Sequence, residues 1–407
     1  MHQLLNYIRS TSLKNRIFFG LSIFCPIAFI SKYIFSDNPA LIFCTAILAI
    51  IPLAAFSTEA TESVAQYCGN FFGGFLNSGL GNIAELVFTI VALRRGLINV
   101  VKASILGAVT SNVCVGVGLA LFFGGLRFKE QTFGEKLAGI NAASLTCLTI
   151  VILCPSALKI SLGSHVMSTT IMRRFSYVSA IILFVLGIVN IIFAWKTHSY
   201  LYTADIKRKT ITKRRNQAAL SMMALDQTPS PLNTPPAPTN NKLTKIYLLI
   251  KDISTLILTT ILIVCLCQFI VDSLEGAIEK LHISSSFTAA IILPLVSSII
   301  EFVTCISCAL KNKIELTIAV TQNSTSQILC FIAPITLAAS NLIFYTKSNG
   351  EANILLDFDF KSFDLISTIF SVAICNSVLN GNSNWMQGIQ LLLAYGTIAT
   401  GFFYMPF

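Results

Sequence analysis

The sequence predicts an all-α integral membrane protein of about eleven transmembrane helices, built as two halves that enter the membrane from opposite sides. Three observations carry this. Of 407 residues, 54% are hydrophobic and only 11% charged, less than half of the about 25% charge usual in soluble domains. Apolar runs long enough for the about 20 residues that a spanning helix needs recur from end to end, whereas a β-barrel would show short alternating strands. A basic, Pro-rich stretch divides the chain into halves that echo each other around a carboxylate set in an apolar run.

In chain order the spans fall near residues 14–33, 39–57, 70–94, 98–124, 139–160, 173–195, 245–272, 284–310, 314–345, 362–380 and 385–405. The first begins with Lys14 and Arg16, then turns apolar for longer than a signal peptide needs, and no A-x-A-like cleavage site follows. A retained first helix is expected. The organisation is then a tail and first helix (1–37), a first repeat (38–195), a linker (196–244) and a second repeat (245–407).

The linker carries Lys207, Arg208, Lys209, Lys213, Arg214 and Arg215, followed by Pro229, Pro231, Pro235, Pro236 and Pro238. Such a composition cannot pack a core and reads as a flexible connection. Its basic cluster suits a cytoplasmic surface beside anionic lipid. The net charge of +10 lies outside the spans, which is the positive-inside pattern and excludes nucleic acid as the reason for it. With a cytoplasmic N-terminus, six spans bring the chain back to that side, and the eleventh leaves the C-terminus outside or in a lumen. Arg94 and Arg95 fall on the non-cytoplasmic side, against the rule.

Glu85 is the only charged residue in 71–93, and Glu301 the only one in 284–310. An intramembrane carboxylate is costly, and it marks a functional site unless it serves as a paired structural group. Glu85 is followed by Ala92-Leu93-Arg94 and then Ser111-Asn112; Glu301 by Ala309-Leu310-Lys311 and then Ser326-Gln327. The two glutamate spans are the third and the eighth, and an odd offset makes the copies an inverted repeat.

Asn82 lies i−3 to Glu85, so an amide oxygen and a carboxylate share a helix face and can meet one cation. Gly79 and Gly81 let that helix break, and Pro294 is expected to interrupt the second. Ser298 takes the place of Asn82 before Glu301. Hard cations such as Ca²⁺ want six to eight oxygens of this kind. A desolvated carboxylate also holds a proton, so two protons and one divalent cation compete for the pair; in a protein open to one side at a time, that is antiport. Asn112 and Gln327, with Ser111 and Ser326, either complete the oxygen shell or act as interhelical hydrogen bonds. Asp272, Glu275 and Glu279 follow span seven, and Glu59 and Glu62 follow span two, as cation-attracting mouths or solvated span ends.

Other chemistries lack their residues. Cys305 and Cys308 form a C-x-x-C with no second pair, so no zinc or redox centre is expected. His2, His165, His198 and His282 are scattered near span ends and line no metal pathway. No phosphate-binding loop indicates ATP use, and no intramembrane Ser-His or di-Asp pair indicates a protease.

Together these residues resemble the calcium/proton exchangers of the cation/calcium exchanger superfamily. The likeness runs through Asn38-Pro39-Ala40-Leu41, Ile51-Pro52-Leu53-Ala54, Gly81-Asn82-Ile83-Ala84-Glu85, Ala92-Leu93-Arg94-Arg95-Gly96, Ala103-Ser104-Ile105-Leu106-Gly107, Ser111-Asn112, Phe123-Gly124-Gly125, Ser324-Thr325-Ser326-Gln327 and Ser383-Asn384-Trp385. It implies eleven helices in two inverted five-helix repeats behind an extra N-terminal helix, and exchange of Ca²⁺ for H⁺ at Glu85 and Glu301. Where that family carries G-N-A-A-E-H, this chain reads Ser297-Ser298-Ile299-Ile300-Glu301-Phe302; where it often carries an acidic cytoplasmic stretch, this linker has only Asp205 and Asp226 as acids. The reading is a secondary cation/proton antiporter without a permanently bound cofactor, whose partners are membrane lipid, the transported cation and protons. It sits in a cell (inner) membrane or a vacuole-like organelle membrane. Its rivals are an exchanger of Na⁺, K⁺ or Mn²⁺, and a non-transporting sensor or scaffold derived from an exchanger, against which both retained glutamates speak.

Overall fold

Inside a bilayer every backbone N–H and C=O must be satisfied within its own segment, so long apolar runs fold as helices. A computed structural model describes residues 20–67, 82–163, 168–197, 242–347, 355–379 and 381–405. Its first half contains α1 (Phe24–Ile34), α2 (Pro39–Tyr67), α3 (Ile83–Arg94), α4 (Ile98–Ser111), a π-helical segment π1 (Asn112–Gly116), α5 (Val117–Arg127), β1 (Gln131–Thr132), α6 (Glu135–Leu162), α7 (Thr169–Ile192) and π2 (Phe193–Thr197). The second contains α8 (Lys242–Leu281), α9 (Ser285–Phe287), π3 (Thr288–Ile292), α10 (Leu293–Ser297), α11 (Ile299–Ala309), α12 (Ile314–Gln327), π4 (Ile328–Ile332), α13 (Ala333–Lys347), α14 (Ser362–Val378), β2 (Asn382–Ser383) and α15 (Trp385–Phe403). The basic and proline clusters of the linker, Gly79 and Gly81 lie outside the described residues.

Each of the eleven predicted segments holds at least one of these helices. Among the described residues, six are long and apolar enough to cross a membrane, or seven if a bent pair counts as one span; α1 and α14 are shorter. The protein is thus a multi-span integral membrane protein, with six or seven spans of crossing length among the described residues where the sequence predicts eleven. Two boundaries differ from expectation. α2 runs on to Tyr67 and α8 to Leu281, so Glu59, Asp272, Glu275 and Glu279 sit within helices instead of following them. A helix whose polar end emerges into water has no reason to stop at the edge of its apolar stretch.

The break before Glu301 also moves. Pro294 does not bend the chain; the 52° bend falls at Ser298, between α10 and α11. Proline lacks the N–H that would bond the carbonyl four residues back, and the helix absorbs this by widening into π3 just before it. The turn comes at the Ser297-Ser298 pair, where the Ser297 hydroxyl donates to the Pro294 carbonyl at 3.1 Å.

The two ends of the molecule are distinct. At one, β1 pairs antiparallel with β2, Gln131 opposite Ser383, and Gln131 Nε2 donates to the Ala309 carbonyl at 3.0 Å. At the other, Arg95 and Lys32 both pair with Asp272, at 2.5 and 3.5 Å, which balances the arginine that the positive-inside rule left unexplained. α3 therefore ends at the Asp272 end and α11 at the strand end: the glutamate helices run in opposite directions. α4–π1–α5 connects the two ends through the interior, with 89% of its apolar window buried, against 28% for the peripheral α7.

A strap from the second half seals the Asp272 end. Leu356, Phe358 and Phe360 alternate into the core, and their N–H groups donate to the hydroxyls of Ser340, Ser176 and Ser156 at 2.8, 2.9 and 2.8 Å. On the opposite face Asp357 pairs with Lys102, and Asp359 with Lys159 at 2.5 Å.

Candidate cation and proton site

Asn82 and Ser298 both occupy non-helical backbone immediately before α3 and α11, and neither side chain caps its helix. Both are left to face inward. Glu85 and Glu301 follow as the third residue of each helix. α4 and α12 have 14 residues each and both pass into a five-residue π segment, so the two halves repeat at the level of helix irregularity as well as sequence. π segments tend to accumulate at functional sites. The halves meet closely: a Cβ on Gly107 of α4 would collide with the carbonyl of Ala290 in π3.

At the centre Asn82 bonds both Gln327 and Ser324 of α12, closing a ring through that helix which joins the repeats and to which Glu301 and Asn112 attach at Ser324. Asn82 Nδ2 donates to Gln327 Oε1 at 2.9 Å. The Ser324 hydroxyl lies 3.0 Å from Asn82 Oδ1 and 2.7 Å from Glu301 Oε1, and Asn112 Nδ2 donates to it at 3.4 Å. The Glu85 carboxyl faces the hydroxyls of Ser297 and Ser298. A second link, at 3.2 Å between Thr89 and Thr336, ties α3 to α13.

Around Glu301, which is half-buried, the other members are buried: Asn82 is 3% exposed, Glu85 and Gln327 8%, and Asn112 and Ser298 0%. Three oxygens there, Asn112 Oδ1, Ser298 Oγ and Glu301 Oε2, have no hydrogen-bond partner. Buried acceptors left unpaired are expensive, and the two neutral ones together with the carboxylates of Glu85 and Glu301 form a donor set for a hard cation. Among the described residues no three His, Cys, Asp or Glu gather, so a cation here would take neutral oxygens beside the two carboxylates.

Of the residues expected from sequence, Asn82 and Gln327 share the ring, Glu301 and Asn112 attach to it, and Glu85 and Ser298 face each other beside it. Ser111 is fully buried but donates to the Ala108 carbonyl of its own helix at 3.2 Å. Ser326 is half-buried and takes no part in the ring. The Ser-amide pairs are one residue out of register: Ser111 and Gln327 close their helices, whereas Asn112 opens π1. Ser324 is the residue that sequence reasoning passed over. It lies i−3 to Gln327 on one helix face, the same spacing that singled out Asn82 before Glu85.

An antiparallel pair of carboxylate-bearing half-helices, joined at mid-molecule by amides and hydroxyls, defines an ion exchanger fold. The chain belongs to the sodium/calcium exchanger protein family, whose model matches residues 38–206 and 251–404. It is 36% identical over 394 residues to a protein named Ca²⁺/H⁺ antiporter from Aphanothece halophytica, covering 97% of this chain and 98% of that one. It is 32% identical to another of that name from Synechocystis, covering 97% and 99%. Among solved structures, native YfkE superposes with a TM-score of 0.73 at 24% identity over 95% of this chain and 100% of that one. An H⁺/Ca²⁺ exchanger, CAX, superposes with 0.64 at 12% identity over 96% and 92%; both show the likeness of fold.

Proposed function

We propose that this protein is a secondary Ca²⁺/H⁺ antiporter, with Glu85 and Glu301 binding cation or protons in turn. The observation that carries the proposal is the ring around Ser324. Its hydroxyl has one proton but faces two acceptors, Asn82 Oδ1 and Glu301 Oε1, at 3.0 and 2.7 Å. When Glu301 carries its own proton it donates to Ser324 Oγ, and the Ser324 proton goes to Asn82. When Glu301 is ionised, the Ser324 proton turns to it and Asn82 Oδ1 is released. Loss of the proton therefore gives Glu301 its negative charge and releases the neutral Asn82 Oδ1 at the same time, both in favour of a cation. The orphaned Asn112 Oδ1 and Ser298 Oγ extend that shell. Relatives named Ca²⁺/H⁺ antiporter, similar over almost the whole chain, support Ca²⁺ as cargo and H⁺ as counter-ion.

One observation favours a different cargo, Na⁺, K⁺ or Mn²⁺. Ser298 stands where Asn82 stands in the first half, so the shell is asymmetric and one arm is shorter. Reconstitution in liposomes under a pH gradient decides between them. Uptake of Ca²⁺, Mn²⁺, Na⁺ and K⁺ is followed in wild type, Glu85→Gln and Glu301→Gln. Ca²⁺ uptake by wild type and protein-free rates in both variants are expected. Unchanged uptake in either variant refutes the paired site, and no uptake of any cation by wild type refutes transport.

A further inference from the structure

Two threonines buried in α12 use their hydroxyls within their own helix: Thr321 donates to the Thr317 carbonyl at 3.2 Å, and Thr325 to the Thr321 carbonyl at 2.7 Å. Two others on the continuous element α12–π4–α13 reach across to neighbouring helices. Thr317, fully buried, donates to the Cys305 carbonyl of α11 at 3.1 Å, and the Cys305 thiol lies 3.9 Å from the Thr317 carbonyl in return. Thr336, fully buried in α13, lies 3.2 Å from the Thr89 hydroxyl of α3. Thr89 donates its own proton to the Leu86 carbonyl at 2.9 Å, so Thr336 is the donor in that pair.

The two partners occupy the same place in each half. Thr89 follows Glu85 by four residues and Cys305 follows Glu301 by four, one helical turn along the same face. Each glutamate helix starts from irregular backbone, α3 at Asn82 and α11 at the bend of Ser298, so its entry does not fix its rotation about its own axis. Apolar packing is far less directional than a hydrogen bond. Ser324 and Gln327 lie between Thr317 and Thr336 on the same element, where they meet Glu301 and Asn82. Each glutamate helix is therefore held to α12–π4–α13 at two points, one in the site and one beyond it.

We propose that Thr317 and Thr336 are positioning residues for transport: their hydroxyls set the rotation of α11 and α3 against α12–π4–α13 and so keep Glu301 and Glu85 turned towards the site. The proposal deepens the antiporter reading and rests on it. Neither hydroxyl touches the cation. A helix turns 100° per residue, so a small rotation of α11 is enough to open the 2.7 Å contact between Ser324 and Glu301.

Equilibrium Ca²⁺ binding to purified protein tests it, with thermal unfolding measured alongside so that affinity is read on folded protein. Thr317→Val and Thr336→Val keep the shape of the side chain and remove the hydroxyl. Each is expected to weaken Ca²⁺ binding about three- to tenfold, the size of an interhelical hydrogen bond in a membrane protein. Thr317→Ser and Thr336→Ser keep the hydroxyl and should bind like wild type. So should Thr321→Val, the same change at a hydroxyl that stays within its helix. In Ser324→Ala, where the contact to Glu301 is already gone, adding Thr317→Val should weaken binding no further, because the two act through one contact. Wild-type affinity in either folded valine variant overturns the proposal. A Thr321→Val as weak as Thr317→Val, or a double variant in which the two losses multiply, also overturns it by making the effect one of packing. A wild type that binds no Ca²⁺ refutes the antiporter reading, and the positioning role falls with it.

Discussion

Ser324→Ala is the most incisive perturbation of the ring. The hydroxyl meets Glu301 at 2.7 Å, Asn82 at 3.0 Å and Asn112 at 3.4 Å, so one atom removed unties three side chains from both repeats. The contact to Glu301 is the shortest, and a hydrogen bond to a charged group is worth about 1.5–3 kcal/mol net. The long contact from Asn112 contributes little beside it, because hydrogen bonds weaken with distance. Asn82 keeps its bond to Gln327, so its amide stays oriented through Nδ2 while Oδ1 loses its donor. Taking only the Glu301 contact, the ionised, cation-binding arrangement loses about 1.5–3 kcal/mol, which weakens cation binding roughly ten- to a hundredfold. The assay is equilibrium Ca²⁺ binding to purified protein at fixed pH, with thermal unfolding measured alongside to show that the variant is folded. A folded Ser324→Ala protein that binds Ca²⁺ with wild-type affinity would refute the role given to the ring.

Four further outcomes follow from other parts of the structure. Ser326→Ala, two residues away but outside the ring, should bind and transport Ca²⁺ like wild type; a defect equal to that of Ser324→Ala would show that the wrong face of α12 has been assigned. Gly107→Val should destabilise the protein by about 1–3 kcal/mol or more, because the added atoms meet the backbone of π3 instead of a yielding side chain; thermal unfolding in detergent reads this. Phe358→Ala should cost about 3–5 kcal/mol, since the ring is 1% exposed in the strap, and its unfolding midpoint should fall accordingly. Lys102→Met should cost about 1–3 kcal/mol by leaving Asp357 unpaired, discounted from the value for a fully buried pair because both side chains are partly exposed. Lys102→Met combined with Asp357→Leu should regain most of that loss.

Much of the fold is legible in the sequence because membrane helices are specified locally. A run of apolar residues must satisfy its own backbone, so the helices fall in the segments that composition marks. The paired glutamates are legible for a related reason: a charge within such a run stands out against its neighbours. Other features depend on contacts that no local pattern records. The bend at Ser298 instead of Pro294 depends on how π3 absorbs the missing N–H. Ser324 looks like an ordinary helix serine until α3 and α11 bring Asn82 and Glu301 to it from residues 242 and 23 positions away. The strap of residues 355–361 reads as a short polar-apolar connection, and only three serines from three helices give its backbone partners.

The sequence by itself determined that this chain is a membrane protein of two opposed halves, each centred on a carboxylate, because burial of charge and helix length are properties of single segments. Tertiary structure alone decided which neutral side chains surround those carboxylates, because that choice depends on the rotation and register of helices far apart in the chain. A shift of one helical position separates Ser324 from its neighbours on α12 by about 100° around the axis. That rotation, set by packing across the two repeats, places a single shared proton between Asn82 and Glu301.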